Sequence, residues 1–187
     1  MLKVRFVFLM ACIINLAACA SMGTGTTADK QQAILKMKDD VLTQLFKEKP
    51  YTRAQVESSE GYAVFSNANL NLLFVAAGTG YGMVKNMSTG KITYMNMAEG
   101  GVGLGLGAKD YRIVMVFHTK AAMNQFIETG WTFGGNADAA AKASDKGASI
   151  EGEAYYGDVT VHTFTESGLA IQATVKGTKF WKDTKLN

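Results

Sequence analysis

Glycines 101, 103, 105 and 107 alternate with Val102, Leu104, Leu106 and Ala108 inside the run Glu99-Gly-Gly-Val-Gly-Leu-Gly-Leu-Gly-Ala108. A period of two belongs to a strand, where successive side chains point to opposite faces. Read as one strand, the run carries aliphatic side chains on one face and bare backbone on the other. Glycine loses the most conformational freedom on folding, so such a strand costs stability. It makes sense where another element or a ligand approaches the backbone closely. Close packing of a helix, a sharply curved sheet and a narrow apolar ligand groove all satisfy that requirement. Twenty glycines against a single proline in 187 residues fit packed strands with glycine at their turns.

Ahead of the strands the period is helical. Ile34, Met37, Val41 and Leu45, with Leu35, Leu42 and Phe46, recur at spacings of three and four, which predicts an amphipathic helix from Asp29 to Lys47. Thr26 or Thr27 is positioned to cap it, and Pro50 closes the segment. A short second helix is expected over Thr52–Ser58. From Gly61 the pattern switches to strands: Tyr62–Phe65, Leu72–Ala77, Gly80–Lys85, Lys91–Ala98 and Tyr111–His118. The pair Lys109-Asp110 reads as a tight hairpin before the last of these. Thr119–Glu128 reads as a helix with Ala121, Ala122, Met123, Phe126 and Ile127 turned inward. Further strands are expected over Trp131–Gly135, Ala148–Ala154, Val159–Phe164, Leu169–Val175 and Lys179–Trp181, the last as a lysine-flanked edge, with Ala137–Ala143 left between helix and strand. The fold class is α+β: an N-terminal amphipathic helix, then a large, curved, mostly antiparallel sheet with one or two further helices.

Several chemistries are disfavoured by the same residues. Gly78-Thr-Gly80-Tyr-Gly82 and Gly103-Leu-Gly105-Leu-Gly107 look like nucleotide loops, yet neither opens a clear helix whose N-terminal N–H groups would hold a pyrophosphate. His118 and His162 lie in strand-like runs without acidic or thiol neighbours at ligand spacing, so no metal is expected. No serine sits in a nucleophile-elbow pattern. Glu151 and Glu153 share a strand face and read as solvated rather than as a catalytic pair. Neither a cofactor nor enzymatic activity is expected.

The N-terminus addresses the chain. Lys3 and Arg5 precede an apolar run from Phe6 to Ala18, shorter than the roughly 20 residues a membrane-crossing helix needs and typical of a secretory signal. It ends in Leu16-Ala17-Ala18-Cys19, which resembles the bacterial lipoprotein processing box. That resemblance implies removal of residues 1–18, acylation of Cys19, and a polar tether to residue 28 before a single domain over 29–187. Ala20-Ser21 lacks the aspartate associated with inner-membrane retention, so the expected address is the outer membrane, facing the periplasm. Removing Lys3 and Arg5 from the 19 basic residues leaves 17 against 16 acidic ones, a balance that asks for no nucleic-acid partner. Cys12 and Cys19 are the two cysteines, so the domain itself has no disulfide.

From Gly61 onward the chain resembles the lipid-binding SYLF, or Ysc84-like, family. Gly61-Tyr-Ala-Val-Phe65 looks like its opening strand. The stretch Ala76–Met83, then Glu99–Ala108 and Tyr111–Phe117, looks like its centre. Gly130-Trp131 with Phe133-Gly134 resembles its tryptophan-glycine segment, and Tyr155-Tyr156 through Val175-Lys176-Gly177 its closing strands. Ser66 departs from the family's usual proline, and Asn67–Leu72 is asparagine-rich where relatives carry lysine and glycine. The resemblance implies binding of phospholipid or a membrane surface. With the glycine run it nominates Gly101, Gly103, Gly105 and Gly107 as the contact, helped by Lys85, Lys91 or Lys109, beside acyl chains on Cys19. An assembly lipoprotein that binds an envelope protein is the competing expectation.

Overall fold

The computed structural model describes residues 25–72, 75–102, 107–130, 132–133, 153–165, 168–169 and 177–187. Cys19, the signal, residues 103–106, Ala137–Ala143 and most of the expected strands Ala148–Ala154 and Leu169–Val175 lie outside them.

Helix α1 spans Thr27–Glu48. Thr26 caps it in a full capping box: its hydroxyl accepts from Asp29 N at 3.2 Å, and the Asp29 carboxylate accepts from Thr26 N at 2.8 Å. Ile34, Val41, Leu42 and Leu45 form the buried stripe. Lys49, Pro50 and Tyr51 separate α1 from α2, Thr52–Glu57. The first helix lies where the three-to-four spacing puts it, and the second covers most of the expected Thr52–Ser58.

Among the described residues nine strands follow in one sheet: β1 (Gly61–Leu72), β2 (Val75–Asn86), β3 (Ile92–Val102), β4 (Gly107–Phe117), β5 (Thr132–Phe133), β6 (Glu153–Tyr156), β7 (Val159–Thr165), β8 (Gly168–Leu169) and β9 (Gly177–Lys182). Their order is β5-β9-β3-β2-β1-β4-β7-β6, with β8 beside β7, and each pairing is antiparallel. The sheet curves into a half-barrel, and its alternation feeds two cores. Tyr62, Val64, Met83, Val114 and Val116 pack under α1. Ala63, Phe65, Met95, Met115 and Phe117 pack on the other face with helix α3, Lys120–Thr129. There Phe126 is fully buried among Phe65, Phe117 and Phe180, ring centroids 6.1, 5.3 and 5.4 Å away.

Five expectations are corrected. Leu72–Ala77 is not one strand: β1 ends at Leu72 and β2 starts at Val75, a hairpin of two 12-residue strands. The glycine run is not one strand either. It is divided between β3, which ends at Val102, and β4, which starts at Gly107, with β2 and β1 lying between them. Lys109-Asp110 lies inside β4 rather than in a turn, because pairing to β1 continues to Gly107. The terminal strand β9 is internal, flanked by β3 and β5, and buries Phe180 while leaving Trp181 40% exposed. Within α3, Met123 and Phe126 are buried as expected, whereas Ala121 faces solvent.

Candidate lipid-contacting end of the sheet

The register lines up residues that the sequence scatters. Lys109 (β4), Asn69 (β1), Gly78 (β2), Glu99 (β3) and Thr178 (β9) form one row across five strands. Beyond that row, toward the turn of the β1–β2 hairpin, stand Leu70–Leu72, Val75–Ala77, Gly100–Val102, Gly107–Ala108 and Gly177. None of these is charged. Three residues separate Asn69 from Leu72, so this uncharged end is about 10 Å deep at the rise of a strand. The opposite end is ionic: Lys120 pairs with Glu60 at 3.8 Å, and Thr119 donates to Asp158 at 3.1 Å.

Gly101 and Gly107 fall in one row of the uncharged end, joined through Ala76 and Asn71, with Lys109 two residues below. Lys85 and Lys91 do not join them. Lys85 pairs with Ile92 and Tyr62 at the ionic end, and Lys91 sits in the adjoining turn. Nine residues of β2 separate Lys85 from Ala76, about 30 Å. Gly103, Gly105 and Cys19 lie outside the described residues.

A buried polar bridge closes the α3 side of the boundary row. Glu99 Oε2 accepts from Asn67 Nδ2 at 2.9 Å, and its Oε1 accepts from Thr178 Oγ1 at 3.0 Å. The bridge crosses β2 where that strand carries Gly78 and Gly80. Close approach over bare backbone, expected for the run beginning at Gly101, therefore operates in β2. A Cβ on Gly80 would stand 2.5 Å from Ser66 O, and one on Gly82 2.4 Å from Phe65 Cδ1. The alternating glycines of β2 were a legible signal for this, read instead as a nucleotide-loop lookalike.

A second polar cluster lies at the far edge. Glu153 is 6% exposed, not on a solvated face. Its Oε2 accepts from Tyr51 OH at 2.5 Å and Lys49 Nζ at 3.4 Å, and its Oε1 accepts from Tyr155 OH at 2.6 Å. Burial works to raise its carboxyl, but the hydroxyls of Tyr155 and Tyr51, with the Lys49 charge, hold it below the usual range. His162, paired with Glu153 across β6 and β7, is fully buried with neither ring nitrogen hydrogen-bonded. Burial pushes it down to about 4, Lys49 reinforcing and Glu153 opposing. His118 is exposed, its Nε2 2.7 Å from Thr160 Oγ1. No group of three or more His, Cys, Asp or Glu among the described residues is arranged to hold a metal, and no helix among them is long and apolar enough to cross a membrane.

Residues 98–187 match the Ysc84 family, described as Las17-binding protein actin regulator. The chain is also similar to beta cell expansion factor A of Aeromonas veronii, 32% identical over 161 residues. That alignment covers 86% of this chain and 60% of the relative's length. The matched segment runs from β3 to the last strand, through the boundary row at Glu99 and Thr178, so the similarity to the Ysc84, or SYLF, family falls on the strands that carry that row.

Proposed function

We propose that this is an exported, non-catalytic lipoprotein, anchored by acyl chains on Cys19 at the periplasmic face of the outer membrane, whose domain contacts phospholipid through the uncharged end of its sheet. The observation that carries the reading is the charge boundary. Among the described residues, the rows beyond Lys109, Asn69, Gly78 and Glu99 are free of charge to a depth comparable with the 5–10 Å to which apolar faces enter a bilayer interface. At about 25 cal/mol per Å² of apolar surface removed from water, a contact of about 200 Å² contributes about 5 kcal/mol. That is ample for a domain whose anchor already holds it at the membrane. Lys109, whose backbone lies in the boundary row, is the residue that would meet a phosphate.

Flotation with phosphatidylglycerol–phosphatidylethanolamine vesicles tests this in a Cys19→Ser background, where the anchor cannot contribute. Val75→Asp is expected to weaken binding at least tenfold, since a carboxylate at the hairpin end must enter the interface or keep it away. Unchanged binding by a folded Val75→Asp protein counts against the reading.

One finding favours a second reading. The family's description is of protein binding, to Las17. An assembly role, in which the domain holds an envelope protein and lipid is needed at Cys19 alone, predicts a stoichiometric protein cross-link and no vesicle binding by the Cys19→Ser form.

A further inference from the structure

The cluster around Glu153 ties together three parts of the chain. Lys49 and Tyr51 come from the corner between α1 and α2, Glu153 and Tyr155 from β6, and His162 from β7. One oxygen, Glu153 Oε2, is the meeting point. It accepts from both corner residues, and His162 Nδ1 stands 3.9 Å away, too far for a hydrogen bond. We infer that this is an acid-operated latch, in which a proton taken up by His162 draws Glu153 Oε2 away from Lys49 and Tyr51 and releases the α1–α2 corner from the sheet edge.

The physical argument is one of competition. With His162 neutral, the buried charges of Lys49 and Glu153 compensate each other. A proton from solvent adds a second cation beside Lys49, in a site where His162 is fully buried. The imidazolium then needs an acceptor, and Glu153 Oε2 is the neighbouring anion. Moving that oxygen toward Nδ1 lengthens its contacts to the corner, and Lys49 is left buried opposite a like charge. Toward β4, His162 pairs with Val114, which does not titrate, and Arg112 two residues along is held by Gln44 Oε1 at 3.0 Å. Burial, which drives His162 down to about 4, sets the acid range in which the latch works.

Lys49 is also the C-cap of α1, its N–H donating to Leu45 O at 2.7 Å. Freeing the corner therefore loosens the helix that covers Tyr62, Val64 and Met83, while the core under α3 is untouched.

The chain has two histidines, so NMR titration of both imidazoles in the full chain isolates His162. Amide exchange followed from pH 7 to 4, corrected for intrinsic rates, reads the helix. His162 is expected to titrate below pH 5, and amides of residues 27–48 to lose protection about tenfold at the same midpoint while those of β1 and β4 keep theirs. His162→Leu is expected to abolish the helix response. The latch is overturned if helix and sheet lose protection together, if α1 stays protected after His162 has titrated, or if His162→Leu responds like the parent. Should His162→Leu not fold, Tyr51→Phe removes one corner donor and is expected to raise the midpoint. An unmoved midpoint counts against the proposal.

Discussion

Asn67 donates to Glu99 at 2.9 Å although the whole of β2 runs between their strands. Backbones two strands apart are about 10 Å distant, so the side chains meet only because β2 has no side chain in their path. Gly78 and Gly80 provide that, and Gly82 extends the bare track beneath Phe65.

Substituting this track is therefore expected to be costly. A Cβ on Gly82 would lie 2.2 Å from Val64 O and 2.4 Å from Phe65 Cδ1, and backbone cannot step aside as a flexible side-chain tip can. Gly82→Ala should destabilise by about 3 kcal/mol or more, at the upper end for overpacking. Gly80→Ala should cost less, since two of its three contacts are with the pliable Met97. Urea unfolding of the two variants checks the order.

Acid should weaken the protein through His162. Its folded value, about 4, lies below the ordinary 6.5, so between those values the unfolded chain binds more protons. Stability is then fully present above pH 6.5 and is lost as pH falls toward 4, by up to about 3 kcal/mol. Glu153, also lowered, is lost in the same direction at the acid end of that window. For a domain of this size the melting temperature should drop by about 6–12 °C from pH 7 to 4. His162→Leu should flatten that dependence in a calorimetric series.

Two glycines with positive φ separate strain from collision. Gly90, at φ 71, has nothing within 4 Å of a notional Cβ, whereas on Gly130, at φ 62, that atom would fall 1.9 Å from Phe180 O. Gly90→Ala should cost about 1 kcal/mol, the left-handed penalty alone. Gly130→Ala should cost at least twice that, because α3 must shift off β9. Thermal melts of the pair make the comparison.

Phe126 is the hinge of the second core. Replacing it by alanine removes the ring shared by Phe65, Phe117 and Phe180 and should cost about 3–5 kcal/mol. Chemical unfolding will report it, and a cost below 1 kcal/mol would contradict the packing described.

Local signals were legible where local physics decides. Ile34, Val41 and Leu45 mark α1 and Pro50 ends it, while Thr119 caps α3, accepting from Ala122 N at 3.3 Å. The errors fell where pairing overrides local preference. Gly78-Thr-Gly80 resembles a break, and Lys109-Asp110 a turn, yet each lies inside a strand because its neighbours on β1 continue the ladder. The Glu153 cluster had no local signature, since Lys49 and Glu153 are 104 residues apart. Nor did the charge boundary, which exists only once five strands are set in register.

The capped start of α1 and the C-terminal tail are neighbours. Gln31 Nε2 donates to Leu186 O at 2.9 Å, and Asn187 exchanges hydrogen bonds with the Tyr94 backbone at 2.8 and 2.9 Å. Thr26 is five residues, about 8 Å of helix, from Gln31. A splice from residue 187 to residue 26 would therefore be short, and would make residues 26–187 a ring. Such a ring could be reopened at the exposed Ser88–Gly90 turn between β2 and β3, giving a permuted protein that begins in the middle of the sheet and keeps every strand's neighbours.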